Sequence, residues 1–279
     1  WDSPASLIEK LIKYEAVHDI RSWDDLKNRL DSDRRCYGFF HPRLPNEPLI
    51  FVEVALANEI SASITPLLDE TAAPSDIQRA TTAIFYSISN TQTGLRGVSF
   101  GDSLIKHVVD TLTAEFPRLR TFATLSPIPG FRAWLHKNCA SQLEQLDAKH
   151  LAELGRSVGF EPQSAKDLAA HVLAAADEAL DLPAKAPLRQ LLQQWAARYL
   201  ARELQDGKPL DPVARFHLGN GARVERLNWA GDPSAKGLKQ SFGLMVNYLY
   251  DLKRIDKNRD LLAQGRVAMS GDIEDLCDD

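Results

Sequence analysis

The sequence predicts an α+β fold: a mixed central sheet flanked by helices and interrupted by an all-helical insert. Three observations lead there. Residues 82–89, Thr-Ala-Ile-Phe-Tyr-Ser-Ile-Ser, form a β-branched and aromatic run with two largely apolar faces, the pattern of a covered central strand. A glycine-bearing turn and an amphipathic helix follow, and a strand signal returns at 120–125. From about 141 to 206 the pattern changes to leucine- and alanine-rich helical periodicity, as in a small bundle.

Taken in order, residues 3–31 read as two short helices. Leu7, Leu11, Ile12 and Tyr14 fall at helical spacing, and Ser22 is placed to cap the second helix. Segments 36–41 and 49–55 read as strands, and the three prolines between them (Pro42, Pro45, Pro48) as a rigid turn. In the helix after Gly101, Leu104, Ile105, Val108, Val109, Leu112 and Phe116 share one face, and Pro117 marks its end. The insert carries three or four helices, marked by Leu143 to Leu154, Leu168 to Leu180 and Leu188 to Tyr199. Segments 213–218 and 223–228 read as a strand pair turning at Asn220-Gly221. A last helical region covers about 238–263, with Tyr248 and Tyr250 packing it or lining a pocket.

Composition narrows the function classes. A chain of 279 residues, 44% hydrophobic and 25% charged, can bury one large core, or one core with an appended subdomain. No apolar run approaches the ~20 residues a membrane helix needs, and no basic-then-apolar leader opens the sequence. The chain starts at Trp1 rather than Met, so a removed leader stays open. A net charge of −5 offers nucleic acid no general attraction. Cys36, Cys139 and Cys277 lack CxxC spacing, which argues against a zinc ribbon, a redox motif or a disulfide framework. A reducing cytosol is the simplest setting, so a cytoplasmic location is expected. The seven histidines form no HExxH-type pair, and no metal centre is expected.

Three features carry chemistry. Gly94, Gly97 and Gly101 punctuate the turn between strand and helix, with Arg96 inside it and Lys106, Arg118, Arg120 and Arg132 near in sequence. Glycines allow close backbone approach, and the first N–H groups of a helix point at an anion, so this turn suits a phosphate. Its spacing is neither Walker A nor GxGxxG, and the bland alternative is an ordinary connecting turn. Ser126 stands at a strand end before Pro127 and Pro129: either a common strand terminus or a hydroxyl held still by the prolines. No GxSxG elbow surrounds it. His217 is either a solvated or satisfied histidine or a proton donor.

The segments TTAIFYSIS, QTGLRGVSFG, LSPIPGF, FHLGNGA with Asn228-Trp229 beyond it, and GLMVNYLY occur in this order and spacing. Over roughly residues 35–255 they resemble the catalytic domain of the malonyl-CoA decarboxylase family, which is similar in fold to the GNAT acetyltransferases. The resemblance implies pantetheine beside residues 84–89 and coenzyme A phosphates at Arg96, Gly97, Val98, Ser99, Phe100, Gly101 and Asp102. It also implies catalytic roles for Ser126 and His217 and supporting roles for Ser87 and Tyr250. Ser99 stands where some relatives carry an acid, so no role for that carboxylate carries over. Residues 1–31 then correspond to the last helices of an N-terminal helical domain, mostly absent here, through which relatives form homo-oligomers. Residues 32–279 make the GNAT-like catalytic domain, with the insert at about 141–206.

The expected reaction, in fatty acid and malonate metabolism, converts malonyl-CoA to acetyl-CoA and CO2. The thioester carbonyl can take up the electrons as an enolate, so no metal or organic prosthetic group is required, and coenzyme A is part of the substrate. Ser126 is expected to hydrogen-bond the malonyl carboxylate and help place it out of the thioester plane. His217 is expected to protonate the enolate carbon or stabilise its oxygen. A CoA-dependent acyltransferase on the same fold and a non-catalytic malonyl-CoA sensor are the competing functions.

Overall fold

The computed structural model describes residues 3–92, 94, 103–161 and 164–278. They divide into two compact units. The first comprises Trp1–Ser126, Asn220–Ala222 and Asn247–Lys257, and the second Pro127–Gly219, Arg223–Val246 and Asn258–Asp279.

The first unit begins with helices α1 (Ala5–Tyr14) and α2 (Trp23–Arg29). Ser22 caps α2 as its position suggested, accepting from the Asp25 N–H. Both helices pack on the antiparallel pair β1 (Arg34–His41) and β2 (Leu44–Ala57), with Leu11, Leu26 and Phe51 at the centre of the contact. Of the proline segment expected as a turn, Pro42-Arg43 is the turn and 44–48 is instead the start of β2, where His41 pairs with Leu44 and Phe40 with Pro48 across register shifts. Pairing between β2 and β3 (Thr82–Asn90) starts only at Ile50–Asn90. Pro45 and Pro48 therefore occupy an edge, where a missing N–H breaks no ladder.

Strand β3 is the covered strand the sequence predicted, with Ala83, Ile84, Phe85 and Tyr86 all buried. It pairs antiparallel with β2 and parallel with β4 (Thr121–Thr124). The connection between those parallel strands is helix α3 (Ser103–Glu115), whose Leu104, Ile105, Val108, Val109 and Leu112 are buried. Phe116, one step past the helix, is only half-buried and lies under the Arg35 guanidinium. Strand β4 also pairs antiparallel with β9 (Met245–Leu249) at Ala123–Leu249, and the short β5 (Ser126–Pro127) pairs with β9 too.

Beneath α2 lies a buried ionic cluster: Arg29 bridges Asp25 at 2.7 Å and Glu53 at 3.3 Å. Burial, and then the nearby charge of Glu15, push the Glu53 carboxyl up to about 8 against the pull of Arg29.

The second unit is mostly helical. Helices α4 (Phe131–Leu143), α5 (Ala148–Ser157), α6 (Ala165–Ala176) and α7 (Pro187–Ala201) fill the inserted region, and α4 starts ten residues before the expected boundary. Phe131, Trp134, Tyr199 and Phe242 form a ring cluster in this core. A small hairpin, β6 (Leu204–Gln205) and β7 (Lys208–Pro209), leads into α8 (Pro212–Gly219). Strand β8 (Arg223–Asn228) follows, then α9 (Ala235–Ser241), α10 (Ile255–Ala263) and α11 (Gly271–Asp278).

Two expected elements change identity. Segment 213–218 is not a strand but the helix α8. Asp211 accepts from the Val213 and Ala214 N–H groups, and Pro212 occupies the first helical position. Asn220-Gly221 accordingly closes a helix rather than a hairpin, with Gly221 at φ 84°. The region 238–263 is likewise not one helix. Phe242 and Gly243 take φ of 54° and 82°, which stops α9, and Met245–Leu249 then runs as a strand buried on both faces. Tyr248 therefore belongs to a strand and Tyr250 to its end, not to a helix face.

Candidate active site

Ser126 sits where β4 gives way to β5. Its side chain is 4% exposed, and its Oγ donates to Thr124 Oγ1 at 2.9 Å. Thr124 is pinned in turn, its Oγ1 accepting from the Tyr248 N–H at 3.0 Å and its carbonyl from Asn247 Nδ2 at 2.7 Å. Asn247 spans two segments, since Nδ2 also donates to the Ser61 carbonyl at 3.0 Å. The hydroxyl is thus held by a short chain of buried hydrogen bonds, which fixes a polar group far better than a surface loop would.

The strand next to it has two irregularities. Ser87 pairs with Glu53 and Phe85 with Val54, so Tyr86 is an extra residue, a bulge in β3. The parallel ladder between β3 and β4 reaches Phe85–Thr124, with the Leu125 N–H donating to the Phe85 carbonyl at 3.0 Å. Among the described residues, the ladder goes no further. From Tyr86 to Asn90 the side of β3 that β4 had covered has no strand neighbour there.

Ser87 and Tyr250 flank this point. Tyr250 sets its ring edge-on to Phe85 at 6.4 Å, and its N–H donates to the Phe122 carbonyl at 2.9 Å. Burial pushes its hydroxyl well above the usual tyrosine value, so it stays protonated. Ser87 turns to Glu15, donating to its two carboxylate oxygens at 2.7 and 2.8 Å, and Ser89 donates to the same carboxylate at 3.1 Å. The Glu15 carboxylate also accepts the Val17 and His18 N–H groups, both at 2.8 Å. Glu15 escaped sequence reasoning: a glutamate just past a helix end carries no sign that its partner lies 72 residues on.

His217 belongs to the second unit, in the last turn of α8. It is 4% exposed, with its ring edge-on to Phe216 at 5.0 Å. Burial pushes the imidazole down to about 3, so it is neutral across the physiological range. The expected strand placement gives way to this helical one. A proton donor at this position is therefore a neutral imidazole. The sign follows: an unfolded histidine takes up a proton near 6.5, and the folded one only near 3. Above 6.5 the group leaves stability unchanged, and as pH falls from there towards 3 it destabilises the fold by about 1.4 kcal/mol per pH unit. Between pH 6.5 and 5 the parent is therefore expected to lose about 2 kcal/mol more than His217→Asn, read from urea unfolding at both pH values.

The proposed phosphate residues Arg96, Gly97, Val98, Ser99, Phe100, Gly101 and Asp102 lie outside the described residues. Of the four cations near them in sequence, Arg132 is engaged by Asp177 and by the Phe242 ring, and Arg118 donates to the Gln78 carbonyl. Lys106 and Arg120 are exposed. Among the described residues no group of three or more His, Cys, Asp or Glu side chains could hold a metal ion, and no helix is long and apolar enough to cross a membrane.

A family model described as "Malonyl-CoA decarboxylase C-terminal domain" matches residues 1–279. The chain belongs to the malonyl-CoA decarboxylase family. It is similar to the mitochondrial malonyl-CoA decarboxylase of Anser anser anser, 40% identical over 263 residues that cover 92% of this chain and 52% of that protein. It is similar also to the mitochondrial enzyme of Rattus norvegicus, 41% identical over 272 residues that cover 92% of this chain and 54% of that one. Among solved structures, malonyl-CoA decarboxylase from Cupriavidus metallidurans aligns with TM-score 0.83 at 50% identity, over 99% of this chain and 65% of that one. The protein of the same name from Rhodopseudomonas palustris aligns with TM-score 0.82 at 47% identity, over 99% and 64%. The chain thus spans about half the length of the curated relatives it matches and about two-thirds of the solved ones. These structures bear out the mixed sheet flanked by helices with its helical insert. The cytoplasmic expectation is overturned: relatives across 92% of this chain are mitochondrial by name, and the cysteine pattern that suggested a cytosol distinguishes only reducing from oxidising surroundings.

Proposed function

We propose that this chain catalyses the decarboxylation of malonyl-CoA to acetyl-CoA and CO2 through a thioester enolate. The observation that supports this most is the buried hydroxyl of Ser126, placed where the β3–β4 ladder stops, in a chain whose whole length matches the family. An extended pantetheine can use the strand edge of β3 from Tyr86 onward, with the phosphates falling to residues 96–102 and Ser87 and Tyr250 supporting the strand.

In the reaction the bond between the α-carbon and the carboxylate breaks, and its electron pair moves into the thioester carbonyl. Ser126 holds the departing carboxylate out of the thioester plane, so that the breaking bond overlaps the carbonyl π system. His217, neutral at rest, first donates its N–H to the thioester oxygen as charge gathers there. The enolate's negative charge then raises the imidazole's proton affinity, and a proton drawn from solvent passes to the α-carbon. No metal or organic prosthetic group enters this route, since the thioester serves as its own electron sink. Self-association through an N-terminal helical domain, of which residues 1–31 would be the last part, completes the proposal for partners.

Incubation with malonyl-CoA, with CO2, acetyl-CoA and free thiol measured separately, tests the reading. CO2 and acetyl-CoA in equal amounts are expected. Free thiol that requires an added acceptor would mean an acyltransferase, and bound but intact malonyl-CoA would mean a sensor.

A further inference from the structure

We infer that Asp211 is a positioning residue for the proposed decarboxylation, holding the helix of His217 and the turn after Ser126 in one fixed relation. The inference rests on the decarboxylase reading above. Asp211 is fully buried, and its two carboxylate oxygens are divided between two tasks. Oδ1 accepts from the Val213 and Ala214 N–H groups at 2.9 and 3.0 Å, which caps α8, the helix that carries His217 in its last turn. Oδ2 accepts from the Gly130 N–H at 3.2 Å, and the Tyr199 hydroxyl lies 3.5 Å away. Gly130 closes the turn that follows Ser126-Pro127, and Pro127 and Pro129 leave that turn little freedom of its own. One carboxylate therefore ties the start of α8 to the end of the turn, across 81 residues of sequence. Ordinary capping needs only one oxygen, and asparagine caps as well as aspartate. The second oxygen is what capping leaves unexplained.

Asp211→Asn separates the two tasks. The amide oxygen still caps α8, but Nδ2 meets the Gly130 N–H donor to donor, while the Tyr199 hydroxyl can turn to accept. The turn then shifts against the helix with the fold kept. In this chain, kcat for malonyl-CoA is expected to fall at least about tenfold, with KM within about twofold, because misplacement of reacting groups acts on the chemical step. The ring-nitrogen resonances of His217, read by NMR without substrate, are expected to move. Tyr199→Phe, which keeps the Gly130 bond, is expected to leave kcat within about twofold. Unmoved His217 resonances in Asp211→Asn, or a raised KM with kcat intact, would overturn the inference. So would a kcat loss that merely follows the unfolded fraction seen by circular dichroism. If the parent releases no CO2 while the resonances still move in the variant, the decarboxylase reading fails and the positioning stands.

Discussion

Ser126→Ala and His217→Asn are each expected to lower kcat for malonyl-CoA decarboxylation about 10²-fold, equivalent to about 3 kcal/mol of barrier, with malonyl-CoA still bound. The reason is where each group acts. Ser126 Oγ is buried beside Thr124, and in the proposed route its one proton, given to Thr124 Oγ1 without substrate, turns to a carboxylate that must leave along one direction. His217 is buried and neutral, so in the proposed route its N–H meets an oxygen whose charge grows only as the bond breaks. Interactions that strengthen in the transition state appear in kcat rather than in KM. Alanine at 126 leaves Thr124 with its bond from the Tyr248 N–H, so the strand ends should hold. Steady-state kinetics with calorimetric binding of malonyl-CoA checks both variants. Near-parental turnover in either, with binding intact, would remove that residue from the mechanism. Because the two groups act on one charge redistribution, the double variant should lose less than the product of the single losses.

Gly130→Ala is expected to be strongly damaging for a change of one methyl group. A Cβ there would lie 2.1 Å from the Tyr199 hydroxyl oxygen and 3.5 Å from Asp211 Oδ2. The backbone is not the obstacle, since φ at Gly130 is −92°, which any residue adopts. Space is. The Tyr199 ring is buried and packed against Phe131 and Trp134, so it cannot swing away. Overpacking of this kind costs about 1–3 kcal/mol or more, and the displaced turn carries the proposed site with it. A loss of about 3 kcal/mol in urea unfolding and a kcat fall beyond tenfold are expected. The test is rescue: in Gly130→Ala/Tyr199→Phe the oxygen is gone, and the nearest remaining ring atom is Cζ at 3.3 Å. Most of the lost stability should return. A double variant as unstable as Gly130→Ala would place the strain elsewhere.

The elements that differ from expectation show which sequence signals are local and which are overruled. Segment 213–218 alternates well enough for a strand, but the Asp211-Pro212 pair is a helix start, and with it the Asn220-Gly221 turn becomes a helix end. The strand Met245–Leu249 was hidden differently: its residues suit either structure, and the break is made by Phe242 at φ 54°, a conformation that a phenylalanine does not advertise. The early prolines of β2 were misjudged because a proline's cost depends on whether its strand has a neighbour there, which only pairing decides.

By itself the sequence determined the covered strand at 82–89, the helix with its buried face after it, the helical insert, and, through the order of its motifs, the family. Each of these is a local pattern, because a helix or strand repeats its apolar positions within a few residues. Only the tertiary structure decided what the polar side chains do: Ser87 facing Glu15, Asp211 joining Gly130 to the capped helix, His217 buried until it is neutral. The Ser87–Glu15 and Asp211–Gly130 pairs span 72 and 81 residues and leave no period in the chain, and burial, which sets proton affinity, is a property of the assembled core rather than of any segment.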